Sequence, residues 1–195
     1  MAGGTKTIFI GSQYLRDNSI INDNVDSKVL EPLIRVTQDK YIQSTIGTPL
    51  YEKMIQLVEA ANPALPSPVP VTGDYKILLE DYIIPVLVQY TVYEAVPFMN
   101  FKFRNKSISK QASDNSTPAD LAELYYIRDN VLSTAQFYAE RMSVYLCKNS
   151  NLFPEYHAST TDLSPDPNNS FNGIHIPRMN YLDIVTGKQI GRAHV

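Results

Sequence analysis

The sequence predicts an all-α fold: a small bundle of about four helices, with a short β-hairpin or strand segment and extended N- and C-terminal arms. Apolar residues recur at three- and four-residue spacing along several long stretches. Glycine and proline fall at the ends of those stretches rather than inside most of them. The flanks carry no such period, which divides the chain into an N-terminal arm over 1–25, a helical domain over 26–150 and an extended C-terminal tail over 151–195.

The arm holds a short apolar strand candidate at Thr7–Ile10, followed by an Asn/Asp-rich stretch. A first helix is expected from Val29 to Ile46, with Leu30, Leu33, Ile34, Thr37, Tyr41 and Ile42 on one stripe. Gly47 suits the left-handed position that stops it. Thr48-Pro49 then reads as an N-cap with proline at the first helical position. The second helix, Pro49–Ala61, ends at Asn62-Pro63, because the residue before a proline disfavours the α region.

Four prolines occupy eight positions from Pro63 to Pro70. Pro63-Ala-Leu-Pro66 matches a polyproline-helix ligand, but a stiff extended connector is the better reading of the composition. A third helix from Gly73 to Pro97 is apolar on nearly every side, which marks it as central, and Pro85 is expected to kink it. The fourth starts at a Thr117-Pro118-Ala119-Asp120 cap and runs to Cys147, with Leu121, Leu124, Tyr125, Val131, Leu132, Ala135, Tyr138, Met142, Tyr145 and Leu146 in a near-heptad stripe. Leu121, Leu124, Val131, Leu132, Ala135, Tyr138 and Met142 are expected to pack against Ile83, Leu87 and Val88.

Composition narrows the function. With 44% hydrophobic and 19% charged residues the chain can bury a core. Seventeen basic against twenty acidic side chains exclude a protein that coats nucleic acid by bulk charge. One cysteine, Cys147, excludes an intrachain disulfide framework and a multi-cysteine zinc site. The N-terminus lacks the roughly 7–15 apolar residues of a signal h-region, and Ile83–Met99 carries Gln89, Glu94 and two prolines, so a soluble, non-membrane protein of a reducing compartment is expected.

No phosphate loop, G-x-G-x-x-G, H-E-x-x-H or G-x-S-x-G occurs. His157, His175 and His194 all lie in the tail, a poor place for a catalytic base. Glu80, Asp81, Glu94, Glu123 and Glu140 could pair across helices but lack the Glu-x-x-His partner of di-iron bundles. The expectation is therefore no enzyme, no catalytic residue, no cofactor and no metal. Between the last two helices, Lys102, Arg104, Lys106 and Lys110 alternate with Phe101 and Phe103, without an acid among them. Two readings stand: charges that protect an edge strand, or a contact with DNA or an acidic partner. The arms lack an apolar face of their own, so Phe153, Tyr156, Ile174, Ile176 and Tyr181 are the candidates for contact with other chains.

Leu33-Ile34, Gln38, Tyr41-Ile42, Gly47-Thr48 and Leu50-Tyr51, in that spacing, resemble the opening helical pair of tailed-phage head–tail connector (neck adaptor) proteins. Tyr138, Tyr145-Leu146, Asn149, Leu152-Phe153-Pro154 and Tyr156 resemble the end of their last helix. Asn105-Lys-Ser-Ile and Ser113-Asp-Asn-Ser116 are similar to a stretch in the versions of Bacteroidetes phages and crAss-like phages. The resemblance covers roughly residues 25–156 and departs from the compact versions beyond Tyr156. It implies a structural virion protein: a homo-oligomeric ring, commonly twelvefold, between the portal protein and an adjoining tail or neck ring, through which DNA passes with at most weak, sequence-blind contact. It implies location in the virion neck, and in the host cytoplasm during assembly. The alternative is a helical nucleic-acid-associated packaging accessory protein that uses the basic 102–110 segment.

Overall fold

The computed structural model describes residues 7–22, 25–104, 107–110 and 120–157. A short helix α1 (Ser12–Asp17) precedes α2 (Ser27–Thr37), whose N-cap Asp26 accepts from the Lys28 amide at 2.9 Å. Without a break, α2 continues through a π-helical stretch, Gln38–Gln43, into α3 (Ser44–Ile46). The fully buried residues of this composite helix include the row Leu30, Ile34, Gln38, Ile42 and Ile46, every fourth position. In a pure α-helix each such step overshoots a full turn by about 40°, so the row would wander halfway round. A π turn holds more residues than an α turn. The stretch Gln38–Gln43 therefore takes up the drift and keeps the row on one face.

Gly47 ends the composite helix with φ 78° and ψ 156°, a region open essentially to glycine alone. It differs from the expected left-handed helical cap in ψ, and it also serves as the N-cap of α4 (Thr48–Ala60). The expected cap, Thr48, is inside the helix, and its hydroxyl accepts from Gln43 Nε2 at 3.2 Å. The proline-rich connector beyond α4 is exposed from residue 62 to 70, tied back by a 2.8 Å bond from the Val69 amide to the Ala60 carbonyl.

Helix α5 (Gly73–Ile77), a second π-helical stretch (Leu78–Ile83) and α6 (Ile84–Asn100) form one continuous helix. Its π turn lies immediately before Pro85. In an α-helix the Asp81 carbonyl would face residue 85, which has no N–H. Here that carbonyl receives Arg141 Nη1 at 3.5 Å, and the Arg141 guanidinium lies 4.7 Å from the Tyr82 ring centre. The visible accommodation of Pro85 is thus a widened turn with a borrowed donor.

The long α7 (Leu121–Lys148) spans 28 residues, about 42 Å. It starts three residues later than the Thr117 cap predicts. Asp120 is the N-cap, and Glu123 Oε2 closes the capping box by accepting from the Asp120 amide at 3.0 Å. Both α2 and α7 pack on the central helix α6. On α7 the buried residues are Leu124, Ala135, Ala139, Met142 and Leu146; Val131, Leu132 and Tyr138 are half-buried, and Leu121 is exposed against expectation.

The expected fold class needs correction in its details. Among the described residues the packed body is helical, and the buried apolar residues lie on helices or in the segments flanking them. The expected β-hairpin is no part of it. Two four-residue segments, β1 (Phe101–Arg104) and β2 (Ser107–Lys110), pair antiparallel with each other outside that body. Nor are the described parts of the arms extended. Phe9, Ile10, Leu15 and Ile21 are buried in the body, and residues 149–157 turn back through two 3₁₀ turns, Ser150–Leu152 and Pro154–His157. There Phe153 packs edge-on to Tyr75, with centroids 5.4 Å apart, and Tyr145 stacks on Tyr82 at 4.0 Å.

Gly47→Ala should destabilise the fold by about 1–3 kcal/mol, the cost of holding an L-residue in that conformation. A lowered urea midpoint with unchanged slope is the check.

Candidate functional site

Gln38 is the polar member of an otherwise apolar row, and its amide is 1% exposed. A buried amide must satisfy its donors and acceptor. Its Oε1 accepts from the Phe9 amide at 2.9 Å, and its Nε2 donates to the Thr7 carbonyl at 3.0 Å and to Tyr51 Oη at 2.9 Å. The Tyr51 hydroxyl donates onward to Asp39 at 2.9 Å. One side chain thus clamps the Thr7–Phe9 segment by its backbone and ties it to α4. The Phe9 ring packs edge-on to Tyr51, with centroids 5.8 Å apart. Burial pushes the Tyr51 phenol up, so it stays a donor at any ordinary pH.

A second polar joint links the π stretch to α6. Glu94 Oε1 accepts from Lys40 Nζ at 2.7 Å and from the Tyr41 hydroxyl at 2.6 Å. The Tyr41 ring stacks on Tyr90 at 3.9 Å, and the Arg128 guanidinium lies over Tyr93 at 4.2 Å. Burial raises the Glu94 carboxyl, but the bonds from Lys40 and Tyr41 and the charges of Lys40 and Arg128 outweigh it and hold it below the ordinary value. Tyr41 is pushed up to about 12, first by burial and then by Glu94. Of the five acids singled out in the sequence, Glu94 alone is drawn inward; Glu80, Asp81, Glu123 and Glu140 are exposed.

The sequence-predicted contact residues fare differently. Phe153 and Tyr156 are 0% and 3% exposed within their own chain, so they close the end of the bundle rather than offering an interface. Tyr156 Oη sits 3.8 Å from Cys147 Sγ, at the edge of that closure. Lys102, Arg104 and Lys110 lie on the backbone of the paired segments, whereas Lys106, Ile174, Ile176 and Tyr181 fall outside the described residues. His157 ends the last 3₁₀ turn, and His175 and His194 lie outside the described residues too.

An apolar stripe was missed by sequence reasoning. Tyr126, Phe137 and Val144 are 72%, 61% and 45% exposed. They lie eleven and seven residues apart, which places them on one line along the side of α7 opposite its buried row. That spacing was the available signal. A cleft of about 450 Å³ between the end of α1, α6 and α7 has Asp17 as its only ionisable lining residue, with Asn18, Gln89, Asn130 and Thr134 around it. The Asn130 amide and the Thr134 hydroxyl both donate to carbonyls of their own helix. Among the described residues, no group of three or more His, Cys, Asp or Glu is placed to hold a metal, and no helix is long and apolar enough to cross a membrane.

Residues 42–164 match the model of DUF6712, a family of unknown function. No curated protein and no solved structure matches the chain.

Replacing Gln38 with Leu leaves the Phe9 amide, the Thr7 carbonyl and the Tyr51 hydroxyl short of a partner. We expect a loss of about 2–3 kcal/mol in chemical unfolding, with earlier proteolysis of the N-terminal segment. Glu94→Gln should lower stability at neutral pH. Because the folded carboxyl sits below its ordinary value of 4.5, its contribution is present above that value and is lost as pH falls through the folded pKa. The gap between wild type and variant, read from unfolding midpoints across a pH series, should therefore close in acid. At the other end, the Tyr41 contribution is complete below pH 10 and lost as pH rises towards about 12.

Proposed function

The chain belongs to the DUF6712 family, whose function is unknown, and we propose from the resemblance in its sequence that it is a structural protein of the tailed-phage neck: a homo-oligomeric ring that joins the portal vertex to the tail and lets DNA pass. One observation carries the reading. The residues by which the first half of the chain resembles head–tail connectors are those that join its elements to one another. Gln38 is bonded to Tyr51, Tyr41 to Glu94, Gly47 makes the sharp turn between the two helices, and Leu50 is fully buried beside it. The matching residues of the second half behave alike, since Leu146, Phe153 and Tyr156 close the far end of the bundle. The shared pattern is thus architectural rather than chemical, as expected of a part whose work is to fit between neighbours.

On this reading the ring is twelvefold, as is common in the connectors, and sits in the virion between the portal protein and an adjoining tail or neck ring after assembly in the host cytoplasm. The basic 102–110 segment gives the passing DNA only weak, sequence-blind contact, because tight binding would retard ejection.

Light scattering and negative-stain imaging of the purified chain test this reading. We expect a closed ring with a central opening, and DNA retention that is weak and lost with added salt. A monomer whose DNA affinity is substantial and salt-dependent would replace the ring with the packaging-accessory reading.

A further inference from the structure

We propose that the outward faces of α2 and α7 are the two sides of one head-to-tail contact between copies of this chain. The inference rests on the ring reading, which supplies the head-to-tail symmetry. On α2, the side away from Leu30 and Ile34 presents Val29, Pro32 and Val36 at three- and four-residue spacing, with Val29 43% and Val36 55% exposed. On α7, the corresponding outer side presents Tyr126, Phe137 and Val144. Both helices make their main packing on α6 through their buried rows, so each of these apolar faces points away from it.

A two-fold pairing through either face would leave the other uncovered. A heterologous contact that seats the α7 stripe of one copy on the α2 stripe of the next covers both at once, and such a contact repeats until it closes. The charges agree with that occupant. Exposed Asp129 and Glu140 flank the α7 stripe, while exposed Lys28, with Arg35 two turns on, flanks the α2 stripe. At about 100° per residue, both charged flanks lie on the same side of their stripes. An antiparallel crossing sets basic flank against acidic flank, whereas a parallel one does not. Complementary flanks fix register and suppress other pairings more than they add affinity.

The test uses the full chain and its self-association over a concentration series, with far-UV circular dichroism to verify folding of each variant. Phe137→Ser and Val36→Ser, both at exposed positions, should each weaken association about tenfold or more, as loss of a contact anchor does. Lys28→Glu and Glu140→Lys should each weaken it by about threefold, the scale of a solvent-exposed pair. The double variant Lys28→Glu/Glu140→Lys should restore it, an outcome that a merely local effect of either change would not give. If closed rings persist unchanged in Phe137→Ser and Lys28→Glu, the assignment of faces is overturned and the ring stands. If the wild type forms only open or dimeric species that respond to these variants with rescue, the contact stands and the ring falls. A chain that stays monomeric at its highest soluble concentration overturns both.

Discussion

A single buried amide holds the molecule's three N-terminal pieces in register. Gln38 reads the backbone of Thr7 and Phe9, belongs to the composite helix of residues 27–46, and donates to Tyr51 on α4. The segment carrying Phe9, Ile10 and Leu15 is too short to form a layer of its own, and its one helix has six residues. Its apolar residues gain a place in the core only because their backbone is satisfied at that point. The same stretch of helix presents Lys40 and Tyr41 to Glu94, so the joint that captures the N-terminus also fixes α6.

Tyrosine does the work that tryptophan or phenylalanine does in many cores. The chain has 13 tyrosines and no tryptophan. Tyr41 and Tyr90 stack, as do Tyr82 and Tyr145, while the hydroxyls of Tyr41, Tyr51 and Tyr75 each donate to a carboxylate. A ring with a polar tip can fill space and still meet the ionic groups at the bundle's seams. Burial raises the phenols of Tyr51, Tyr90 and Tyr156 well above their ordinary range, which keeps them neutral.

Much of this was legible in the sequence, and the failures have physical causes. The composite helix was expected over Val29–Ile46 and the central one over Gly73–Pro97, because glycine and proline mark their ends; the observed spans are 27–46 and 73–100. The π-helical stretches were not anticipated, although the strict four-residue row from Leu30 to Ile46 announces one. Gln38 was visible as a motif residue but not as a core residue, since burial of an amide depends on partners 13 and 31 residues away. Phe9, Leu15 and Ile21 are too sparse to show a period, so their segment read as an arm. Phe153 and Tyr156 read as surface anchors because nothing local reveals that the chain doubles back. The outer stripe of α7 went unread because a heptad search follows the inner one.

The π-helical stretch also makes chain length, rather than composition, the controlled quantity in the first composite helix. Substitutions along the Leu30–Ile46 row change how well a face is filled. Insertion or deletion of one residue within Gln38–Gln43 turns everything beyond it by about 100°, moving Ile46 off the core and redirecting the Gly47 exit that aims α4. The segment is a spacer of set count. Variation among chains of this architecture should therefore gather as length differences in the exposed connector at residues 62–70, where added residues disturb no row.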